Sequence, residues 1–248
     1  MNEIQQILNQ FYTNAAMGIA FIFLFALAIL LLRFLAIAIP YWHSTYFKST
    51  HKSFLSVLLD TGAYGEYLTY RQLRKYETEG AKFLFNCYLP KDNDETSEID
   101  VMMIYGSGIY VFESKNYSGW IFGSETSKMW TQSLPNGKSS KKERFYNPMM
   151  QNKTHIKWLK KQLDESVPLH SIVVFSERCE FKKLELTGTD VSVIKRNALP
   201  KLIREIDERV GSKLDADCIN MIYEKLYPYT QVSDEVKKSH IENIKKNA

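Results

Sequence analysis

Asp100, Glu113 and Lys115 are residues whose types and spacing could do phosphate chemistry. Asp100 sits near the start of an apolar, β-rich run, Ile99 to Tyr105. Glu113-Ser114-Lys115 closes the next run, which begins at Ile109. Gly106-Ser107-Gly108 between them is a hairpin signal, because glycine supplies the backbone freedom of a tight turn. Strand residues two apart share a face, so Glu113, Lys115 and apolar Val111 project one way, and Phe112 and Ser114 the other. If the hairpin returns Asp100 to the same end, two carboxylates and one ammonium converge. Mg2+ keeps several waters and binds through one or two carboxylates plus substrate phosphate, so such a pair could hold it. The ammonium could orient an attacking water and offset charge developing on phosphate. The same spacing also occurs on ordinary solvated strand faces, and by itself it leaves both readings open.

The elements that must position these residues can be read in outline. Gly65 to Tyr76 has apolar residues at helical spacing, with Tyr67, Leu68, Tyr70 and Leu73 on it. Phe83 to Tyr88 reads as a strand, closed by Pro90 and the polar run Lys91 to Ser97. Trp120 to Phe122 and Met129 to Gln132 read as short strands, with Trp120 and Trp130 expected in the core. Lys138 to Arg144 reads as a basic loop. Pro148 suits the first turn of a helix running to about Leu163. Its apolar stripe is Met149, Ile156, Leu159 and Leu163. Lys153, Lys157 and Lys160 form a neighbouring stripe, Gln151 and His155 share a third face, and His155 reads as a surface histidine. Ile172 to Phe175 and Val191 to Ile194 are buried-strand candidates. Leu199 to Val210 and Asp215 to Leu226 read as helices, and the polar tail from Gln231 as frayed. The order helix, three strands, helix, strand predicts an α/β fold with a mixed sheet.

The 248 residues, 45% hydrophobic and 24% charged, exclude a disordered chain. The polarity is unevenly spread. Residues 1–40 contain only Glu3 and Arg33 as charged groups, which leaves 31 basic and 27 acidic residues for 41–248. That mild excess permits a nucleic-acid or anionic-lipid partner without requiring one. Cys87, Cys179 and Cys218 are far apart, with no CxxC or Cys/His cluster, so zinc has no ligand set and three free thiols are expected. Ala15 to Ile39 is long and apolar enough for a bilayer span, since about 20 such residues cross the hydrocarbon. A signal peptide would need a positive n-region, which residues 1–14 lack. Arg33, Lys48 and Lys52 on the C-terminal side place that side in the cytoplasm by the positive-inside rule. Tyr41, Trp42, Tyr46 and Phe47 would form an interfacial aromatic belt.

Several short segments, in order, carry a resemblance. These are Gly62-x-x-Gly65-Glu66, Glu98-Ile99-Asp100, Gly108 to Asn116, Ser118-Gly119, Trp130-Thr131-Gln132, and Asn147-Pro148 with Gln151-Asn152. Over about residues 61–165 the chain resembles the nuclease-related domain (NERD) family, assigned to the PD-(D/E)xK nuclease superfamily. The resemblance implies a restriction-endonuclease-like mixed sheet flanked by helices. It implies Asp100 and Glu113 as ligands of Mg2+ (or Mn2+), Lys115 as the catalytic lysine, and Glu66 as an acid that completes the metal site or acts on the water. Gln151 would contact or position substrate. Ser114 departs from the aliphatic residue common at the centre of the acid-x-Lys motif, and it should pack away from the site.

The resulting expectation has six parts: an extracytoplasmic 1–14, a transmembrane helix 15–39, a connector 40–60, the nuclease-like domain 61–165, strands and helices of 166–230 that complete or extend it, and a polar tail 231–248. The expected activity is metal-dependent hydrolysis of phosphodiester bonds, by Glu66, Asp100, Glu113 and Lys115, at the cytoplasmic face of the cell (inner) membrane. Gln151, Lys153 and Lys157 would contact the nucleic acid, DNA or RNA, and the bilayer would be engaged through 15–39. Two other classes stay open. One is a non-catalytic module binding nucleic acid or a protein partner, favoured by Ser114 and by an anchor that restricts access to a long polymer. The other is an envelope protein that uses 166–248 for interaction.

Overall fold

The computed structural model describes residues 2–92, 95–136, 139–188 and 190–247. Lys138 of the expected basic loop, and Asn93 and Asp94 of the Lys91–Ser97 run, lie outside them. The chain divides into two units, Met1–Lys48 and Ser49–Ala248.

The first unit is dominated by helix α1, Asn2–Trp42. Its apolar side chains are exposed on all sides, Phe21, Ile22, Phe23 and Leu24 among them. From residue 15 to 39, Arg33 apart, it is apolar all round and has no aqueous face, and at 1.5 Å per residue the whole helix extends about 60 Å. It is long and apolar enough to cross a membrane. Tyr41 and Tyr46 are fully buried, with the Tyr41 ring packed on Tyr46 and Phe47. These two tyrosines therefore do not form the expected lipid-facing belt; Trp42 is the exposed aromatic there.

In the second unit, short helices α2 (Thr45–Thr50, which begins in the first unit) and α3 (Phe54–Leu59) occupy the expected connector. Helix α4 (Thr61–Leu73) follows, capped by Asp60, whose carboxylate accepts from the Gly62 and Ala63 amides. The main sheet is mixed, in the order β1 (Lys82–Pro90), β2 (Thr96–Tyr105), β3 (Gly108–Lys115), β7 (Leu169–Phe175), β9 (Val191–Lys195). The first three strands are antiparallel, and β3, β7 and β9 run parallel. Tyr105 pairs with Gly108, so Gly106-Ser107 is the two-residue hairpin turn. One face of this sheet packs through Leu84, Met102, Ile104 and Val111 on Trp158 and Leu159 of α5 (Pro148–Lys160) and on Ile219, Ile222 and Leu226 of α7 (Ala216–Leu226). On the other face, Tyr70 of α4 meets Phe83 and Phe85 edge-on, and amphipathic α6 (Leu199–Val210) lies near α4.

The periodicity shifts once, beside Asp100. Leu84 and Cys87 of β1, and Ile99 and Met102 of β2, join one core although each pair is three apart. The shift falls where the β1–β2 ladder omits the Asn86–Asp100 pair and Asn86 takes a φ of 48°. The register is the same on either side of this unpaired step, so the side chains change face while the strands keep their pairing. Strict alternation would put Ser97 and Asp100 on opposite faces. The shift lets both look toward α5.

A second sheet was not foreseen: β6 (Ser139–Tyr146), β5 (Met129–Asn136), β4 (Gly119–Ser124), β8 (Cys179–Glu185) in that order. The described residues of the expected basic loop are strand β6, paired along the length of β5. Their charged side chains are exposed, and that polarity made the strand read as a loop. Trp130 is buried and stacks on Phe175 of the main sheet, which fuses the two sheets. A Cβ at Gly123 would collide with its indole. Trp120 is not core: it is 41% exposed, with the Lys182 ammonium over it. The tail is also ordered, as α8 (Asp234–Asn247), where His240 meets Thr96 and Glu98 of β2.

Asn147 joins β6 to α5 and is fully buried. Its Oδ1 caps α5 by accepting from the Met149 and Met150 amides, and its Nδ2 donates to the carbonyls of Ser124, Glu125 and Ser127. Asn147→Asp keeps the cap, worth about 1 kcal/mol, but sets a carboxylate against three carbonyls. Thermal unfolding of the detergent-solubilised chain should show a loss of about 2–4 kcal/mol. An unchanged midpoint would show that the three carbonyl contacts contribute nothing.

Candidate active site

Glu113 is the most constrained ionisable group of the site, only 1% exposed. A buried carboxylate needs partners. Its Oε1 meets the Lys115 ammonium at 2.7 Å, its own face neighbour two residues on, and its Oε2 meets His155 Nε2 at 3.1 Å. Burial opposes its ionisation, but Lys115 and His155 together outweigh burial and hold the carboxyl below its ordinary range. Lys115 is the mirror case: burial favours the neutral amine, yet Glu113 and then Asp100 raise its pKa, so it stays an ammonium. Its Nζ also donates to Gln151 Oε1 at 3.2 Å.

Asp100 reaches the same place from β2. Val101 pairs with Phe112, and continuing that register sets Asp100 beside Glu113. The Ser114 amide donates to Asp100 Oδ2 at 3.4 Å. Burial, then Glu113, then Glu66, push the Asp100 pKa well above its ordinary value, and Lys115 only partly opposes them. Glu66 enters from α4 because that helix lies close to β3. A Cβ on Gly65 would stand 2.7 Å from Asn116 Cβ, so only glycine permits the approach. Ser114 faces away from Lys115, as alternation requires, and its hydroxyl lies 3.2 Å from that of Thr69 on α4. The polar centre of the motif thus has a polar partner.

These side chains line a cleft of about 1140 Å³. Glu66, Asp100, Glu113, Lys115 and Gln151 all face it, and Lys128, Arg144 and Tyr146 form a second wall beside β6. Lys153 and Lys157 do not line it. Lys153 pairs with Glu125 at 3.1 Å, and the Lys157 ammonium lies over Trp158. Lys160 is exposed.

His155, expected at the surface, is buried in the site. It is 6% exposed, and its Nδ1 bonds to Ser97 Oγ at 2.8 Å while its Nε2 holds Glu113. The available signal was the helical spacing that puts it on the Gln151 face. His240, Asn243 and Ile244 of α8 also line the cleft, from a segment expected to be frayed. Among the described residues no three His, Cys, Asp or Glu side chains form a ready-made metal cage.

The crowding of Asp100 predicts a gain in stability when its charge is removed. Because its folded pKa is raised, the ionised form opposes folding above that value, and the penalty vanishes as pH falls toward the ordinary 3.8. Asp100→Asn should raise the thermal midpoint of the metal-free protein at pH 7 by about 2–4 °C, and the gain should fade in acid. A midpoint lowered at pH 7 would show that the carboxylate is stabilising.

The sequence pattern of the family described as nuclease-related domain matches residues 61–176, from the first residue of α4 to just past β7. The match spans Glu66, Asp100, Glu113, Lys115, Gln151 and His155. An uncharacterised protein of Bacillus anthracis is 30% identical over 183 residues, 74% of this chain and 83% of that protein. No solved structure matches. With strands β1, β2, β3 and β7 and the acid-x-Lys motif inside the matched span, the chain belongs to the nuclease-related domain family.

Proposed function

We propose that the chain is a metal-dependent nuclease held at a membrane by α1, with its cleft on the cytoplasmic side. The observation that carries this reading is the convergence of Asp100, Glu113 and Lys115, from two strands, with Gln151 in one cleft. A divalent cation fits the donor set. Glu66, Asp100 and Glu113 bring more negative charge than Lys115 offsets, and Mg2+ needs only one or two carboxylates when waters and phosphate complete its shell. Asp100 and Glu113 would hold it. Bound there, Mg2+ or Mn2+ would supply a water of lowered pKa and offset charge on the phosphate.

The chain's own residues do the rest. Lys115 stays protonated beside Glu113, so it serves as a fixed positive charge for the phosphate in the transition state and not as a base. Gln151 and Glu113 fix its position. His155, tied back to Ser97, fixes the Glu113 carboxylate in turn. Lys128 and Arg144, which also line the cleft, suit the phosphates of a nucleic-acid strand, whereas Lys153 and Lys157 lie outside it.

One observation favours a second reading. Both Glu113 oxygens are already engaged, by Lys115 and His155, which suits a module that binds nucleic acid without turning it over. Cleavage assays decide between them. The solubilised full-length chain should cut DNA or RNA with Mg2+ or Mn2+ and stop on chelation. Glu113→Gln and Lys115→Ala should each lower the rate about 100-fold or more while nucleic-acid binding persists. Binding without metal-dependent cutting by the unaltered chain would establish the second reading.

The orientation follows from Arg33, Lys48 and Lys52. With Cys218 replaced by serine, the two remaining thiols, Cys87 and Cys179, are buried. A cysteine placed within residues 2–14 should then react with an impermeant thiol reagent on intact cells. One placed at Ser233 should react only after permeabilisation. The reverse pattern would overturn both the orientation and a cytoplasmic substrate.

A further inference from the structure

Three parallel strands of the main sheet end together. Lys115, Phe175 and Lys195 are in register across β3, β7 and β9, so the next residues, Asn116, Ser176 and Arg196, emerge side by side. Ligands of α/β sheets bind beyond the carboxyl ends of their strands. A second cavity of about 480 Å³ lies there, lined by Tyr64, Asn116, Ser176, Glu177, Arg178 and Arg196. Asn116 and Thr61 line both this cavity and the cleft, so the two adjoin.

The polar groups of this cavity are only partly satisfied. Arg196 is 2% exposed. Its Nη1 donates to Glu177 at 3.0 Å and its Nη2 to Asn116 Oδ1 at 3.2 Å, while its buried Nε has no hydrogen-bond partner. Arg178 donates from Nη2 to the Asn116 carbonyl and from Nε to Ser176 Oγ. An arginine cannot shed its charge in a protein. Burial, with the neighbouring charges of Arg178 and Arg71, disfavours that charge on Arg196, and the partly exposed Glu177 is the carboxylate that opposes them. Two guanidinium groups thus line a recess with one carboxylate between them, an excess of positive charge next to a cleft that carries an excess of negative charge. Guanidinium forks match phosphate oxygens in shape and in charge.

We propose that this cavity binds a phosphoryl group of the same nucleic-acid strand whose phosphodiester occupies the cleft. The anion site stands on its own geometry, and only the identity of the strand rests on the nuclease reading. Arg178 and Arg196 belong to the part of the chain after residue 176, beyond the matched family span. The source is a terminal phosphomonoester or a neighbouring internal phosphodiester.

The test uses the full-length chain in detergent with inorganic phosphate as the first probe, against chloride at equal ionic strength. Phosphate should raise the thermal midpoint of the unaltered chain and of Lys115→Ala, as any ligand of the native state does. Arg178→Gln should lose that shift and Arg178→Lys keep part of it, with the midpoint in chloride as the folding control. No shift, or an equal shift in Arg178→Gln, would overturn the anion site. Single-stranded oligonucleotides ending in a 5′-phosphate, a 3′-phosphate or hydroxyls are the second probe, bound to Lys115→Ala. A preference for one phosphorylated end of about tenfold, lost in Arg178→Gln, would assign a terminal phosphate. Equal binding of all three, weakened about tenfold by Arg178→Gln, would assign an internal one. Affinity indifferent to Arg178→Gln would overturn the proposal even if the chain cleaves. Absence of cleavage with both binding results intact would defeat the nuclease reading and leave the cavity standing.

Discussion

A carboxylate shut away from water must be matched by cations or donors that are themselves held in place, and Glu113 sets this requirement at the centre of the domain. Its two oxygens take Lys115 from the same strand and His155 from α5. His155 can do this because Ser97 of β2 holds its other nitrogen. Lys115 can do it because Gln151, one helical turn from His155, accepts its remaining reach. Helix α5 is therefore fixed on the sheet by polar contacts as well as by Trp158 and Leu159. The buried Asn152, between them in sequence, donates to the Val111 and Ile172 carbonyls and to Ser171 of the same strands. Its N-terminus is fixed separately, by Asn147.

The same constraint explains why Asp100 is left frustrated. Lys115 is already committed to Glu113, so Asp100 faces Glu113 and Glu66 with too little positive charge. A fold selected for stability alone would place a neutral side chain there. Perturbed carboxylates gathered in a cleft are the mark of a candidate site. Beyond the adjoining Asn116 the imbalance has the opposite sign, with Arg178, Arg196 and a single carboxylate, Glu177, lining the second cavity. On the proposed reading, one polyanion suits both halves: the carboxylates would hold a cation at the scissile bond and the arginines the flanking phosphate.

The residues near Glu113 in sequence were legible because local geometry fixes them. Alternation along one strand puts Glu113 and Lys115 together and Ser114 behind them, and a glycine-bounded hairpin returns β2 beside β3. Residues 15–39 declare a membrane-compatible helix by composition alone, since no aqueous surface could cover it. The mixed sheet and its flanking helices followed from the order of apolar runs. The second sheet did not. The lysines and arginine of β6 look like a loop until β5 pairs with them, because backbone pairing leaves no trace in a charged run whose side chains face water.

The sequence by itself determined which residue types could meet phosphate, which strand carried them, and where an apolar helix begins the chain. Tertiary structure alone decided the partners. His155 is a polar residue on an amphipathic helix, and only the packing of α5 on β3 and β2 turns it toward Glu113. Asp100 and Ser97 share a face only because side-chain alternation shifts at the unpaired Asn86–Asp100 step, which periodicity cannot show. Arg196 follows Lys115 by 81 residues, yet the parallel register of three strands brings it within hydrogen-bond reach of Asn116. Short-range sterics are written in neighbouring residues, whereas the neutralisation of buried charge depends on whichever distant side chains the packing brings near.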